Sequence, residues 1–200
     1  KQLIDTDVFV ELLFDEHGKP YVTNFDIFVS LSHSNEHAAA IVSKSFEVGI
    51  DVEEPHRKIE IIKNKFLSTV ELNNIGETQV QQQLLIYWSA KEVMYKIYGK
   101  RKLEFKDDMY VKPFLLNERG DINGILMKNG LVAEYHMHYL LNNDFTLVVG
   151  AEKEVSVINQ PIMVTARSAY CVIADPGICG IRCMSSAYRS NGCRLPSDPN

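Results

Sequence analysis

From Val48 to Glu53 the chain alternates strictly, with Val48, Ile50 and Val52 on one side and Gly49, Asp51 and Glu53 on the other. A period of two predicts a β-strand carrying two carboxylates on one face. Ala38 to Val42 predicts a neighbouring strand, joined to the first by a short loop that carries Lys44. Upstream, Val8 to Phe14 and Phe25 to Leu31 read as strands, with the turn residues Glu16-His17-Gly18-Lys19-Pro20 between them. The second of these runs into a predicted turn, Ser32-His33-Ser34. After Pro55 the period lengthens. Ile59 to Phe66 predicts a helix, Ser68-Thr69-Val70-Glu71 a capping box opening a short one, and Gln79 to Tyr98 a long helix stopped by Gly99. On the long helix Leu84, Trp88, Tyr95 and Tyr98 form an apolar stripe, with Ser89, Glu92 and Lys96 on the polar stripe beside it. From Leu103 to Val149 strands alternate with turns at Asn117-Glu118-Arg119-Gly120, Asn123-Gly124, Asn129-Gly130 and Asn142-Asn143-Asp144. The expected fold is α+β, an antiparallel sheet packed against a long helix.

The bulk properties narrow the function. A chain of 200 residues forms one large domain or two small ones. Its net charge of −5 argues against a protein that binds nucleic acid by neutralising phosphates. Its apolar runs are too short to span a bilayer, and Lys1-Gln2-Leu3-Ile4-Asp5 opens no signal peptide, so a cytoplasmic setting without membrane or nucleic-acid partners is expected. Composition breaks near Gln160-Pro161: Lys disappears, Arg167, Arg182, Arg189 and Arg194 supply the basic charge, and Cys171, Cys179, Cys183 and Cys193 all follow. Residues 160–200 therefore read as an atypical tail, foreign to the domain before it. The cysteine gaps contain no Cys-x-x-Cys pair, so they give little sign of a zinc site.

The chemistry lies in two segments. Asp51 and Glu53 on one strand face, with Glu92 and Lys96 four apart on one helical stripe and Lys91 beside them, suit a divalent metal and a phosphate chain together. Mg²⁺ takes carboxylate oxygens, water and phosphates, and lysines cover the remaining phosphate oxygens. Taken singly, each feature has an ordinary explanation: a strand with a wet side, a solvated helix pair, a histidine or lysine in a turn.

As a set, Ser32-His33-Ser34, Gly49-Ile50-Asp51-Val52-Glu53 and Trp88-Ser89-Ala90-Lys91-Glu92-Val93-Met94-Tyr95-Lys96 resemble the 4′-phosphopantetheinyl transferase superfamily, as does Gly18-Lys19-Pro20-Tyr21 upstream. The resemblance covers roughly Phe14 to Ala151. It implies transfer of 4′-phosphopantetheine from coenzyme A, the co-substrate, to a serine of an acyl or peptidyl carrier protein. It implies that Asp51, Glu53 and Glu92 hold Mg²⁺, that Glu92 accepts the serine proton, and that Lys91 and Lys96 contact phosphate oxygens. Asp51, Glu92 and Lys96 are then the catalytic group. Ser32 and His33 would bind phosphates at the entrance, and Lys19 would approach the nucleotide end.

The context is closest to the second half of a large, surfactin-type member. Residues 1–22 then read as a remnant of, or linker from, an N-terminal half, and 23–159 as the catalytic domain. An isolated half is expected to expose an apolar interface, and so either to self-associate as a homo-oligomer or to be poorly soluble and bind coenzyme A weakly. The basic residues between Tyr98 and Met109 (Lys100, Arg101, Lys102 and Lys106) read as a docking patch for an acidic carrier. Two other functions fit part of the pattern: a non-catalytic half-enzyme that binds carrier proteins, and a Mg²⁺-dependent nucleotide pyrophosphate hydrolase. The chain has neither a run of clustered glutamates on one helix nor a Gly-rich phosphate loop to support the second.

Overall fold

The computed structural model describes residues 7–100 and 102–152, and beyond them the backbone of three strands, 162–167, 170–174 and 181–183. Its first part is a hairpin of β1 (Leu12–Phe14) and β2 (Pro20–Val22). Asp15 Oδ1 turns it by accepting from the backbone N–H groups of His17 and Lys19, and Gly18 takes a φ of +86°. The predicted strand over 8–14 is thus confined to its last three residues.

Strands β3 (Phe28–His33) and β4 (Ala38–Ser43) pair antiparallel. Ser32 and His33 belong to β3 itself, so the predicted Ser-His-Ser turn is the end of a strand. On the far side of β4 its ladder continues into β10 (Ile162–Arg167), β11 (Tyr170–Ala174) and β12 (Ile181–Cys183). These strands come from the stretch expected as a tail; the cysteine side chains lie outside the described residues.

The second sheet is antiparallel throughout, in the spatial order Val48–Glu53, Thr146–Glu152, Leu131–Leu141, Arg119–Lys128 and Met109–Val111. It comprises β5 (Val48–Glu53), β6 (Met109–Val111), β7 (Arg119–Lys128), β8 (Leu131–Leu141) and β9 (Thr146–Glu152). Asn129 and Gly130, with φ of 51° and 82°, make the two-residue turn between β7 and β8 that the Asn-Gly pair predicts. Asn142 Oδ1 closes the β8–β9 turn by accepting from the N–H groups of Asp144 and Phe145. Asn123-Gly124, by contrast, is no turn: it sits inside β7, opposite His136 and Tyr135. The glycine answers to packing there, because a Cβ on Gly124 would lie 2.4 Å from Met94 Sδ.

Between the sheets the chain makes a 3₁₀ turn (Ile59–Ile62), α1 (Lys63–Phe66), α2 (Thr69–Asn73) and the long α3 (Val80–Tyr98). The helix expected over 59–66 is therefore split. The capping box at Ser68 and Glu71 is present in both directions, and Gly99 ends α3 with a φ of 65°. Helix α3 packs on one face of the second sheet, where Leu84, Tyr87, Val93 and Met94 join Leu126, Tyr135 and Met137 in the larger core. On the other face Ile50, Leu140 and Val149 pack against Ala39 and Ile41 of β4. So β5 has no wet side: all six of its residues are buried. The α+β architecture, with a long helix on an antiparallel sheet, is as expected.

Where α3 crosses β5 the two backbones nearly touch. A Cβ on Gly49 would lie 2.6 Å from the carbonyl oxygen of Val93 and 3.0 Å from Ile97 Cγ1. Gly49→Ala therefore forces the strand off the helix, and overpacking of this kind costs about 1–3 kcal/mol. The expected outcome is a lowered urea midpoint; an unchanged midpoint would show that the crossing tolerates a methyl group.

Candidate functional site

The alternation of β5 determines what faces α3. Gly49 clears the crossing, and the next two residues of the same face, Asp51 and Glu53, bring their carboxylates against the helix. Asp51 Oδ1 accepts from Lys96 Nζ at 2.8 Å and from Ser32 Oγ at 2.9 Å. Lys96 also donates to the carbonyl oxygen of Ile50 at 2.8 Å, so its ammonium is anchored to the strand itself. Ser32 Oγ accepts from the N–H of Val52, and Ser30 Oγ accepts from that of Ile50. These two serines satisfy donors on the open edge of β5 and tie the edges of the two sheets together.

Glu53 is held from the other end of α3. Trp88 Nε1 donates to its Oε1 at 2.8 Å, and Arg57 forms an ion pair with the same oxygen. The Arg57 guanidinium also lies 4.6 Å over the Trp88 ring. Burial raises Glu53, and the Asp51 charge adds to it, against the hydrogen bonds from Arg57 and Trp88.

Glu92 completes the acidic cluster from one turn before Lys96. Burial, followed by the charges of Asp51 and Glu53, pushes its carboxyl up to about 7, with Lys96 and Arg57 opposing. Asp51 Oδ2 is fully buried and has no hydrogen-bond partner. A buried carboxylate oxygen without a donor is costly unless something else meets it. Three converging carboxylates with one orphaned oxygen have the donor chemistry of a site for a hard divalent cation such as Mg²⁺.

A family model described as the 4′-phosphopantetheinyl transferase superfamily matches residues 47–149, from just before β5 into β9. The chain belongs to this superfamily. No curated protein matches it at a significant level. Within a phosphopantetheinyl transferase, the arrangement sorts the residues picked from the sequence. Asp51, Glu53, Glu92, Lys96 and Ser32 come together. His33 is exposed, and strand alternation puts it on the opposite face of β3 from Ser32.

Two lysines are employed elsewhere. Lys91 Nζ is fully buried and donates to Glu71 Oε2 at 2.8 Å and to the carbonyl oxygens of Phe66, Phe105 and Met109. Burial pulls its ammonium down, with Glu71 opposing. It therefore faces the core and does not reach the acidic cluster, contrary to the phosphate contact expected of it. Glu71 in turn accepts from the N–H groups of Ser68 and Val111. Lys19 is engaged at the end of α3. Its ammonium pairs with Glu47 at 2.6 Å and caps the C-terminal end of α3 through the Ile97 carbonyl. Sequence reasoning did not single out Arg57 or Ser30, and it read Glu71 for the capping box but not for its pairing with Lys91; the spacing of Ser30 and Ser32 on one strand face was the signal within reach.

Glu92 gives the protein a particular pH dependence. Its folded value of about 7 lies above the ordinary 4.5, so between these the native state binds the extra proton. Stability then falls as pH rises through that window. We expect the thermal midpoint measured without Mg²⁺ to drop from about pH 4.5 to about pH 7, and Glu92→Gln to flatten most of that slope. An unaltered slope in the variant would mean that Glu92 is not the group responsible.

Proposed function

We propose that this phosphopantetheinyl transferase uses coenzyme A and modifies a serine of an acyl or peptidyl carrier protein, the holo-carrier-protein synthase reaction. Adenosine 3′,5′-bisphosphate is the other product. The observation that carries this reading is the unmet Asp51 Oδ2 in a cluster with Glu92 and Lys96. In this reading Asp51, Glu53 and Glu92 hold Mg²⁺, which supplies positive charge to the phosphate oxygens when bound.

The chain's own residues supply the rest. The serine oxygen forms a bond to the phosphorus carrying the pantetheine arm, and the bond from that phosphorus to the adenosine bisphosphate oxygen breaks. The electron pair leaves with that oxygen. The hydroxyl proton passes to Glu92, directly or through a water. Lys96, fixed by Ile50 and Asp51, offers its remaining donor capacity to the charge gathering on the leaving group. Ser32 orients Asp51.

The basic stretch after α3 is the docking patch for the acidic carrier. Lys100, Lys102 and Lys106 are exposed there, while Arg101 lies outside the described residues. No helix among the described residues is long and apolar enough to cross a membrane. A cytoplasmic setting, where coenzyme A and carrier proteins meet, belongs to this reading, as does the division into residues 1–22, 23–159 and 160–200. The β1–β2 region exposes Phe9 at 73 % and Phe14 at 60 %, beside Leu12, Leu13 and Tyr21. A surface of this kind is covered by a second copy of the chain or by an N-terminal half.

Incubation with coenzyme A, Mg²⁺ and an apo carrier protein should shift the carrier's mass by one phosphopantetheine group. Asp51→Ala and Glu92→Ala should lower that rate about 10³-fold or more while the protein still melts cooperatively. Near-normal turnover by either variant would refute the site. Release of phosphopantetheine without carrier modification would instead mark a hydrolase. Light scattering at micromolar concentration should report an oligomer that Phe14→Glu weakens; a monomer that binds coenzyme A tightly would contradict self-association.

A further inference from the structure

A second group of ligating side chains lies on the opposite face of the second sheet from α3, and phosphopantetheinyl transfer makes no use of it. Strand β7 presents Asp121 and Asn123 on that face, and β8 presents His136 and His138. The ladder pairs them directly, Asp121 with His138 and Asn123 with His136. The inward neighbours, Ile122, Tyr135 and Met137, are buried in the core, so the backbone beneath the group is fixed. Asp121, His136 and His138 each offer a ligating atom within 4.8 Å of the others. The two imidazoles stand edge to face with centroids 4.7 Å apart. The Asp121 carboxylate is in hydrogen-bond contact with His138 Nδ1. Both side chains keep solvent access, at 46 % and 23 % exposure, so an ion can enter.

From this geometry we infer a divalent transition-metal site of the Zn²⁺ class, formed by Asp121, His136 and His138 and separate from the acidic cluster at β5. Two imidazoles and one carboxylate are one of the three-ligand sets of a Zn²⁺ centre that keeps a fourth position for water or another ligand. The donor sets also divide the metals. Imidazole nitrogen favours Zn²⁺, Cu²⁺ or Ni²⁺, whereas the all-oxygen cluster of Asp51, Glu53 and Glu92 favours Mg²⁺. Tetrahedral ligands around Zn²⁺ stand about 3.3–3.5 Å apart, given bonds of about 2.0–2.1 Å. The three ligating atoms lie within 4.8 Å of one another, so binding requires side-chain rotation that draws them together. Asn123 is the positioning residue. Its Oδ1 lies 3.2 Å from His136 Nδ1, and a proton donated across that contact puts the ligating lone pair on Nε2. A bound ion would pin β7 to β8 across their ladder and stabilise the native state alone.

The test is a calorimetric titration of the full chain with Zn²⁺, with its thermal midpoint measured with and without the metal. The expected result is one equivalent that Mg²⁺ does not displace, accompanied by a rise in midpoint. His136→Ala and His138→Ala should each lose one equivalent and the rise. Asp121→Asn, isosteric and exposed, provides the same loss should a histidine variant fail to fold. Asn123→Ala should weaken Zn²⁺ binding about 10-fold or more and leave the stoichiometry unchanged. Asp51→Ala should retain the equivalent. Taking the difference in stoichiometry separates this site from Zn²⁺ bound by the four cysteines. The same stoichiometry in Asp121→Asn as in the parent, or loss of the equivalent in Asp51→Ala, would overturn the inference.

Discussion

The closeness of two backbones, β5 and α3, governs this structure. At Gly49 the strand comes so near the Val93 carbonyl that no side chain fits between them. That approach is what lets Lys96 reach both the carbonyl of Ile50 and the carboxylate of Asp51, and lets Trp88 reach Glu53. A packed interior does not deform smoothly, so a small widening at one glycine would separate every contact along the crossing. The acidic cluster exists because the core beneath it is tight.

Helix α3 manages charge in two opposite ways. Toward the core, Lys91 meets Glu71 and three carbonyl oxygens, and Glu71 meets backbone donors of its own. That network is closed, and it ties the capping box of α2 and strand β6 to the long helix. Toward β5, Lys96 and Ser32 both use the same oxygen of Asp51 and leave the other without a donor. A satisfied buried network rigidifies, whereas an incomplete one stores an unmet interaction that a ligand can complete. The first network holds the helix still, and the second leaves one buried carboxylate oxygen of Asp51 without a hydrogen-bond donor.

Much of this was legible beforehand. The alternation of β5, the capping box at Ser68, the left-handed Gly99, the Asn129-Gly130 turn and the family pattern were all read from short-range signals. Such signals survive because they are local: a two-residue turn needs positive φ at both positions, and a capping box needs only residues three apart. Asn123-Gly124 misled for the same reason. Its composition is that of a turn, but its glycine serves the approach of Met94 from a distant helix. The split helix at 59–66 and the strand carrying Ser32 and His33 likewise depend on neighbours far along the chain.

What the sequence by itself determined was the set of chemical groups and the elements that carry them: two carboxylates on one strand face, a third on a helix with two lysines, and a family pattern joining them. The tertiary structure alone decided which of those groups work together. Lys91 and Lys96 are the same residue type on the same helix, yet they point about 140° apart around its axis. One is buried against Glu71 and the other lies beside Asp51 because of what packs on each side. A helical period gives the angle between two side chains. Which of them meets the core and which meets the strand depends on where the rest of the chain folds against the helix.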